Sequence, residues 1–244
     1  MRRALTAAAL AAGMSVAGTA AAQATDSGPR TTGVAAAVSP VTAHVSEGGV
    51  GGRHSAYFTS AFNGPDPGWR KVIGQWTVRD GALRATGSPG RFTSVRHVGT
   101  YDEFAYRVTM RRRGNSDGSA PNCLIVRADP SHVVRDLWRP GYYFCYSNNG
   151  MMAAFVVDSR GGTKALMPWT PVVEVGTGSD FRTVEVVATD DFFAFSVNGS
   201  PAMEFRDTTV ASGAVGVGFY VEPGKRGSLA IDEAELGSVK TARS

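Results

Sequence analysis

The 244-residue sequence has few of the residues that metal and redox sites are built from. It holds only two cysteines, Cys123 and Cys145, which is too few for an all-cysteine zinc site or a dense disulfide framework. Four histidines occur, His44, His54, His97 and His132, and none stands in the HxH, HxxxH or HExxH spacing that brings two imidazoles onto one zinc ion. P-loop and dinucleotide fingerprints are missing, so the usual phosphate cradles are excluded. Charge of one sign is also scarce. There are 25 Lys and Arg against 21 Asp and Glu, and the only run is Arg111-Arg112-Arg113. A polyanion-binding segment would interleave further basic residues with aromatics, and the residues after Arg113 supply none, so the run reads as a solvated strand end. No nucleic-acid partner is expected.

Aromatics are absent from the first 56 residues, and all 23 fall at Tyr57 or later. Arg2 and Arg3 precede an apolar run from Ala4 to Ala22, and Ala22-Gln23-Ala24 ends it on small residues. A basic start, an apolar middle and a small-residue exit describe a cleaved secretory signal peptide over residues 1–24. Residues 25–54, rich in Ser, Thr, Gly and Ala, read as a flexible linker. The globular domain is expected over 55–239, with a disordered tail at 240–244. No later segment reaches 18 consecutive apolar residues, so no membrane insertion is expected after cleavage, and the protein should work outside the cytoplasm, secreted or periplasmic. Losing Arg2 and Arg3 would leave 23 basic against 21 acidic side chains, which weakens the case for a polyanion partner further. In an oxidising compartment Cys123 and Cys145, each in a strand-like run, favour a disulfide with each other.

Helical periodicity hardly appears after residue 55. Phe104, Tyr106, Val108 and Met110 alternate with Ala105, Arg107, Thr109 and Arg111, and Val215, Val217, Phe219 and Val221 alternate with Gly216, Gly218 and Tyr220. A period of two predicts strands with one face on a core and the other in a groove or solvent. Asp80-Gly81, Asn149-Gly150 and Asn198-Gly199 separate such runs and suit hairpin turns that need positive φ. About a dozen short strands in ~185 residues exceed what one open sheet holds without curling. The expected fold is all-β, a two-sheet antiparallel jelly-roll sandwich, with a closed up-and-down barrel as the alternative.

Several of these segments together resemble the concanavalin A-like lectin/glucanase superfamily. Gln75-Trp76-Thr77-Val78-Arg79-Asp80-Gly81-Ala82-Leu83 is similar to its opening hairpin. Asp102 to Val108, Asn122 to Arg127 and Gly141 to Phe144 are similar to three of its strands. Phe195-Ser196-Val197-Asn198-Gly199, Ser212 to Phe219 and Leu229 to Glu233 complete the series in the right order. The resemblance implies a jelly roll whose concave sheet binds glycans in many members. Others are glycoside hydrolases, 3-keto-disaccharide hydrolases or laminin G-like adhesion modules, and fold alone does not choose among them.

Glycoside hydrolysis needs two carboxyl groups across the scissile bond. The glucanase motif Glu-x-Asp-x-Glu has its nearest match in Ile231-Asp232-Glu233-Ala234-Glu235, where Ala230 replaces the first Glu, so that segment reads as a closing strand. Catalytic residues stay unassigned, and Asp158, Glu174, Asp180, Glu185, Asp190 and Asp191 remain as acidic candidates without a partner. No cofactor is expected. The resemblance allows calcium, with Asn63, Asp66 and Asp232 as candidate oxygens. Sugars are held by apolar stacking platforms beside planar hydrogen-bonding groups. Trp138 and Trp169, each in a Pro-bounded loop, with Arg127 and Tyr143 on neighbouring strands, are the expected carbohydrate-binding residues. The expected function is that of a monomeric, exported, lectin-like protein with a glycan or oligosaccharide as partner. A glycoside hydrolase and a non-catalytic cell-envelope adhesion module are the alternatives.

Overall fold

A computed structural model describes residues 56–115 and 118–239. The signal, linker and tail expected at 1–24, 25–54 and 240–244, together with Ser55, lie outside the described residues. The strands in chain order are β1 (Ala56–Ser60), β2 (Trp69–Ile73), β3 (Trp76–Arg79), β4 (Ala82–Thr86), β5 (Arg91–His97), β6 (Phe104–Gly114), β7 (Pro121–Ala128), β8 (Val133–Val134) and β9 (Leu137–Trp138). They continue with β10 (Gly141–Ser147), β11 (Met151–Val157), β12 (Thr163–Pro171), β13 (Arg182–Thr189), β14 (Phe192–Val197), β15 (Ser200–Arg206), β16 (Ala214–Val221) and β17 (Gly227–Gly237). A single 3₁₀ turn at Val173–Val175 interrupts them.

Two antiparallel sheets stack as a jelly-roll sandwich. One runs β15-β14-β13-β6-β17-β4-β3, with β1 also paired to β17. The other runs β12-β11-β10-β7-β16-β5-β2. The hairpin turns fall where the sequence places them. Asp80 and Gly81 both take positive φ (50° and 66°), as do Asn198 and Gly199 (52° and 82°), the pairing that matches strand twist.

The sheets differ in how many faces they bury. On the eight-stranded sheet alternation is clean: in β6, Phe104, Tyr106, Val108, Met110 and Arg112 are buried, while Arg107 and Arg113 are exposed. On the seven-stranded sheet every residue of β7, β10 and β16 is buried. Its inner face, with Leu124, Val126, Phe144 and Val217, joins the core between the sheets. Its outer face carries a second apolar cluster of Phe92, Cys123, Ile125, Tyr143, Phe155 and Tyr220, packed around Trp138.

The β8–β9 hairpin places Trp138 there. Its two turn residues, Arg135 and Asp136, take positive φ (53° and 68°). Asp136 accepts two hydrogen bonds from Arg91 of β5, at 2.5 and 2.6 Å, and so pins the hairpin to the sheet. The indole Nε1–H of Trp138 donates to Ser94 Oγ at 2.9 Å. Its backbone N–H donates to the Tyr143 hydroxyl, which donates in turn to the Trp138 carbonyl. Gly216 lies directly beneath, where a Cβ would stand 2.4 Å from the indole and 2.3 Å from the Val95 carbonyl. Beside this plug Cys123 and Cys145 are direct cross-strand partners, with Cα atoms 4.0 Å apart, and are joined by a disulfide.

Truncating the plug tests this packing. Trp138→Ala should cost about 3–5 kcal/mol, the range for deleting a large buried ring, because both the cavity and the orphaned Ser94 hydroxyl remain. Urea denaturation measures it, and a loss below about 1 kcal/mol would mean the hairpin does not pack as described.

Candidate functional site

A pocket of about 430 Å³ opens at one end of the sandwich, where three connections and the end of β7 gather. Asp102 and Glu103 come from the approach to β6, Arg127 from the end of β7, Asp190 and Asp191 from the β13–β14 turn, and Thr208, Val210 and Ala211 from the β15–β16 loop. Its size lies within the range for small-ligand sites.

Arg127 forms the floor because β7 bulges there. Ala214 pairs with Ala128 and Gly216 with Ile125, so Val126 and Arg127 together face the single residue Val215. Arg127 takes φ +47°, a region costly for a residue with a Cβ. The kink swings its side chain off the outer face, which strand alternation would give it, and places the guanidinium 4.8 Å over the Phe193 ring. There Nε and Nη2 donate to the Asp102 carbonyl at 2.8 and 2.6 Å. Nη1 donates to the carbonyls of Asp190 at 2.7 Å and Val210 at 3.4 Å. Gly213 is required opposite, since a Cβ would sit 2.3 Å from the Arg127 carbonyl carbon. Burial lowers the Arg127 pKa, opposed by Tyr142, Asp102, Glu103 and Asp190 around it.

One buried side chain thus ties together three of the loops that line the pocket. Behind it, the Tyr142 hydroxyl donates to Asp207 Oδ1 at 2.8 Å and accepts from the Val210 N–H at 3.1 Å, bracing the β15–β16 loop a second time. On the rim, Asp191 pairs with Arg206. The carboxylates of Asp102 and Asp190 stand at exposed positions, able to accept hydrogen bonds from hydroxyls.

The expected glycan-binding set does not converge. Trp138 and Tyr143 are both fully buried under the hairpin, so neither can touch a ligand. Arg127 is turned away from Tyr143 by the bulge. Trp169, on the edge strand β12, is half-buried against Phe155 with its indole N–H unpartnered, away from the pocket's lining. Glu185 finds a partner in Arg107 at 3.3 Å on the exposed sheet face. Glu233 and Glu235 lie on that face too, opposite Thr109 and Arg107. Asp66 accepts from the Gly68 N–H, and among the described residues no three His, Cys, Asp or Glu side chains gather as a metal site. The pocket carboxylates were among the acidic candidates only in part. The signal that could have found them is Asp190-Asp191 at a strand-to-strand turn, since turn residues at a sandwich end share space with the other loops of that end.

The fold defined by this sandwich is that of the concanavalin A-like lectins and glucanases. Similar solved structures include the carbohydrate-binding module CBM66 from Bacillus subtilis, at 15% identity and TM-score 0.55, covering 70% of this chain and 96% of that one. A Bacillus licheniformis β-glucanase is similar at 13% identity and TM-score 0.54, over 77% of this chain and 100% of its own. The carbohydrate recognition domain of Emp47p follows at 13% and 0.53, over 75% and 96%. No protein-family model matches the sequence, and no curated protein matches it significantly.

Two outcomes check the site's framework. Arg127→Ala removes every donor to the three carbonyls and should cost about 2–4 kcal/mol, read as a lower urea midpoint. The second is alkaline. Burial pushes Tyr142 and Tyr146 up to about 12 and raises Tyr106 and Tyr143 as well. An unfolded phenol ionises near 10, so the unfolded chain loses protons first as pH rises. The stabilisation from Tyr142 and Tyr146 should be complete below about pH 10 and vanish towards about 12, while that from Tyr106 and Tyr143 falls over the same range and beyond it. Denaturant midpoints at stepped pH, followed with phenolate absorbance, check this; a midpoint that is flat across that window would contradict it.

Proposed function

We propose that this is an exported, lectin-like carbohydrate-binding protein, with its signal at residues 1–24 and its binding domain over 55–239. We place the glycan in the pocket floored by Arg127. The observation that carries the reading is the pocket itself. Asp102, Glu103, Asp190 and Asp191 line a space of about 430 Å³ whose framework is fixed by the buried Arg127. Carboxylates are strong acceptors for the vicinal hydroxyls of a sugar ring, and a rigid frame lowers the cost of ordering them. Val210 and Ala211 give the ring a small apolar surface. Two of the structurally similar proteins are a carbohydrate-binding module and a carbohydrate recognition domain, which supports the ligand class.

Hydrolysis is the second reading, and one observation favours it. Asp102 and Glu103 reach the pocket from one connection, and Asp190 and Asp191 from another. Carboxyl groups on separate segments facing one cavity are what a glycosidase requires, about 5–5.5 Å apart for retention or about 6.5–9.5 Å for inversion. A β-glucanase among the similar structures supports the same thought.

One experiment separates the readings. On a glycan array, Asp102→Asn/Asp190→Asn should bind its best ligand at least about tenfold more weakly than the unaltered protein, with unfolding unchanged. Equal binding would sink the pocket assignment. New reducing ends released from that ligand, and abolished in the variant, would replace the lectin reading with the hydrolase.

A further inference from the structure

We propose that a second surface, at the basic end of the eight-stranded sheet's outer face, binds an acidic polysaccharide through Arg79, Arg84, Arg111 and Arg113. The register brings these residues together from three strands. Ala230 of β17 pairs with Arg84 of β4 on one side and Arg111 of β6 on the other. Ser228, two residues before it, pairs with Thr86 and Arg113. Arg79 comes from β3 next to β4, and all four arginines line one shallow depression with Ser228 and Ala230. The small central side chains leave the floor open. Two inter-strand steps set Arg84 and Arg111 about 10 Å apart, and two residues along β6 set Arg111 and Arg113 about 7 Å apart.

Two of these guanidinium groups, those of Arg84 and Arg111, are held in place, and none of the four is neutralised among the described residues. The Arg111 guanidinium lies 4.3 Å over the Phe181 ring. Arg84 donates to the backbone carbonyls of Arg79 at 3.2 Å and Asp80 at 3.5 Å. Among the described residues, none of the four has a carboxylate within ion-pair distance, whereas Arg107, further along the same strand, is paired with Glu185. Planar guanidinium forks anchored by stacking and carbonyl contacts keep free N–H groups for bidentate binding of carboxylate or sulfate.

The shape selects the polymer. No aromatic side chain lines the depression, so unpaired bases find no stacking platform. A flat strand face offers no helix or ribbon to enter a duplex groove. The residues bordering the arginines are Thr86, Ser228, Ala85, Ala230 and Leu229, and the Leu229 side chain is buried in the core, so there is no exposed apolar wedge for a lipid surface. An extended chain with repeating anionic groups and hydroxyls meets both the charge spacing and the polar floor.

Binding of the protein to polygalacturonate, dextran sulfate, neutral dextran and a DNA duplex is measured by titration calorimetry at two ionic strengths. The expected result is binding of polygalacturonate or dextran sulfate, weakened by salt, and none of neutral dextran. Whichever of the two binds more tightly assigns carboxylate or sulfate as the recognised group. Arg84→Gln/Arg111→Gln/Arg113→Gln should lower that affinity at least about tenfold with an unchanged unfolding midpoint. Should the triple variant fail to fold, Arg113→Glu, at an exposed position, should still weaken binding measurably. The proposal is overturned if neither acidic glycan binds, if the variants bind as the unaltered protein does, or if DNA binds as tightly as the acidic glycans. The depression shares no residue with the pocket, so its failure leaves the pocket reading standing, and the reverse.

Discussion

A sheet that is apolar on both faces needs two covers, and that requirement shapes this molecule. The seven-stranded sheet presents Leu124, Val126 and Val217 to the other sheet, and Ile125, Tyr143 and Tyr220 to the opposite side. Leaving the second set in water would forgo about 25 cal/mol for each Å² of apolar surface. Among the described residues the cover is the β8–β9 hairpin, whose Trp138 sits where only a glycine at 216 leaves room. Here the chain fills that outer face with its own indole. The surfaces left polar are the loop end of the sandwich and the outer face of the eight-stranded sheet.

Much of the architecture could be read from residue order, because one-sided burial writes itself as alternation. Phe104 to Arg112 alternate in sequence and alternate in burial, and the Asp80-Gly81 and Asn198-Gly199 turns lie where the pattern breaks. Two-sided burial writes no such pattern. In β16 the glycines between the valines look like the open side of a strand, yet Gly216 and Gly218 are small because Trp138 and Phe92 lie on them. The same limit explains Trp138. The flanking proline and charges point to a loop where the structure has the short strand β9 of a hairpin, and whether such a segment folds back on a sheet depends on what that sheet leaves uncovered.

Arg127 shows a second limit. Parity along β7 puts it on the same side as Cys123 and Ile125, and Tyr143 shares that side on β10. One inserted residue reverses the parity, and the bulge is visible only in the pairing with Val215. The cost of a left-handed arginine is offset by four donated hydrogen bonds to three carbonyls, none of them near in sequence. The carboxylates of the pocket share this character. Asp102 and Asp190 are unremarkable turn residues until one guanidinium fixes both of their backbones.

The two polar surfaces carry opposite charge, and β6 joins them. Asp102 and Glu103 lead into its first residue, while Arg111 and Arg113 close its far end, about 30 Å away at the rise of an extended strand. Between them Arg107 is balanced by Glu185, and Thr109 shares a hydrogen bond with Thr183, so the middle of the face is electrically quiet. Screening at physiological salt acts within about 8 Å, and each end therefore presents its own charge independently of the other. An acidic pocket repels uronates and sulfates and is suited to neutral sugars. The arginine depression has little to offer a neutral chain beyond its hydroxyls. The triple-arginine run, read from sequence as a solvated strand end, divides in the structure: Arg112 turns inward over Phe219, and its two neighbours join arginines some thirty residues upstream on the outer face. Charge that looks balanced in the composition is therefore sorted by the strands into two ends with different chemistry.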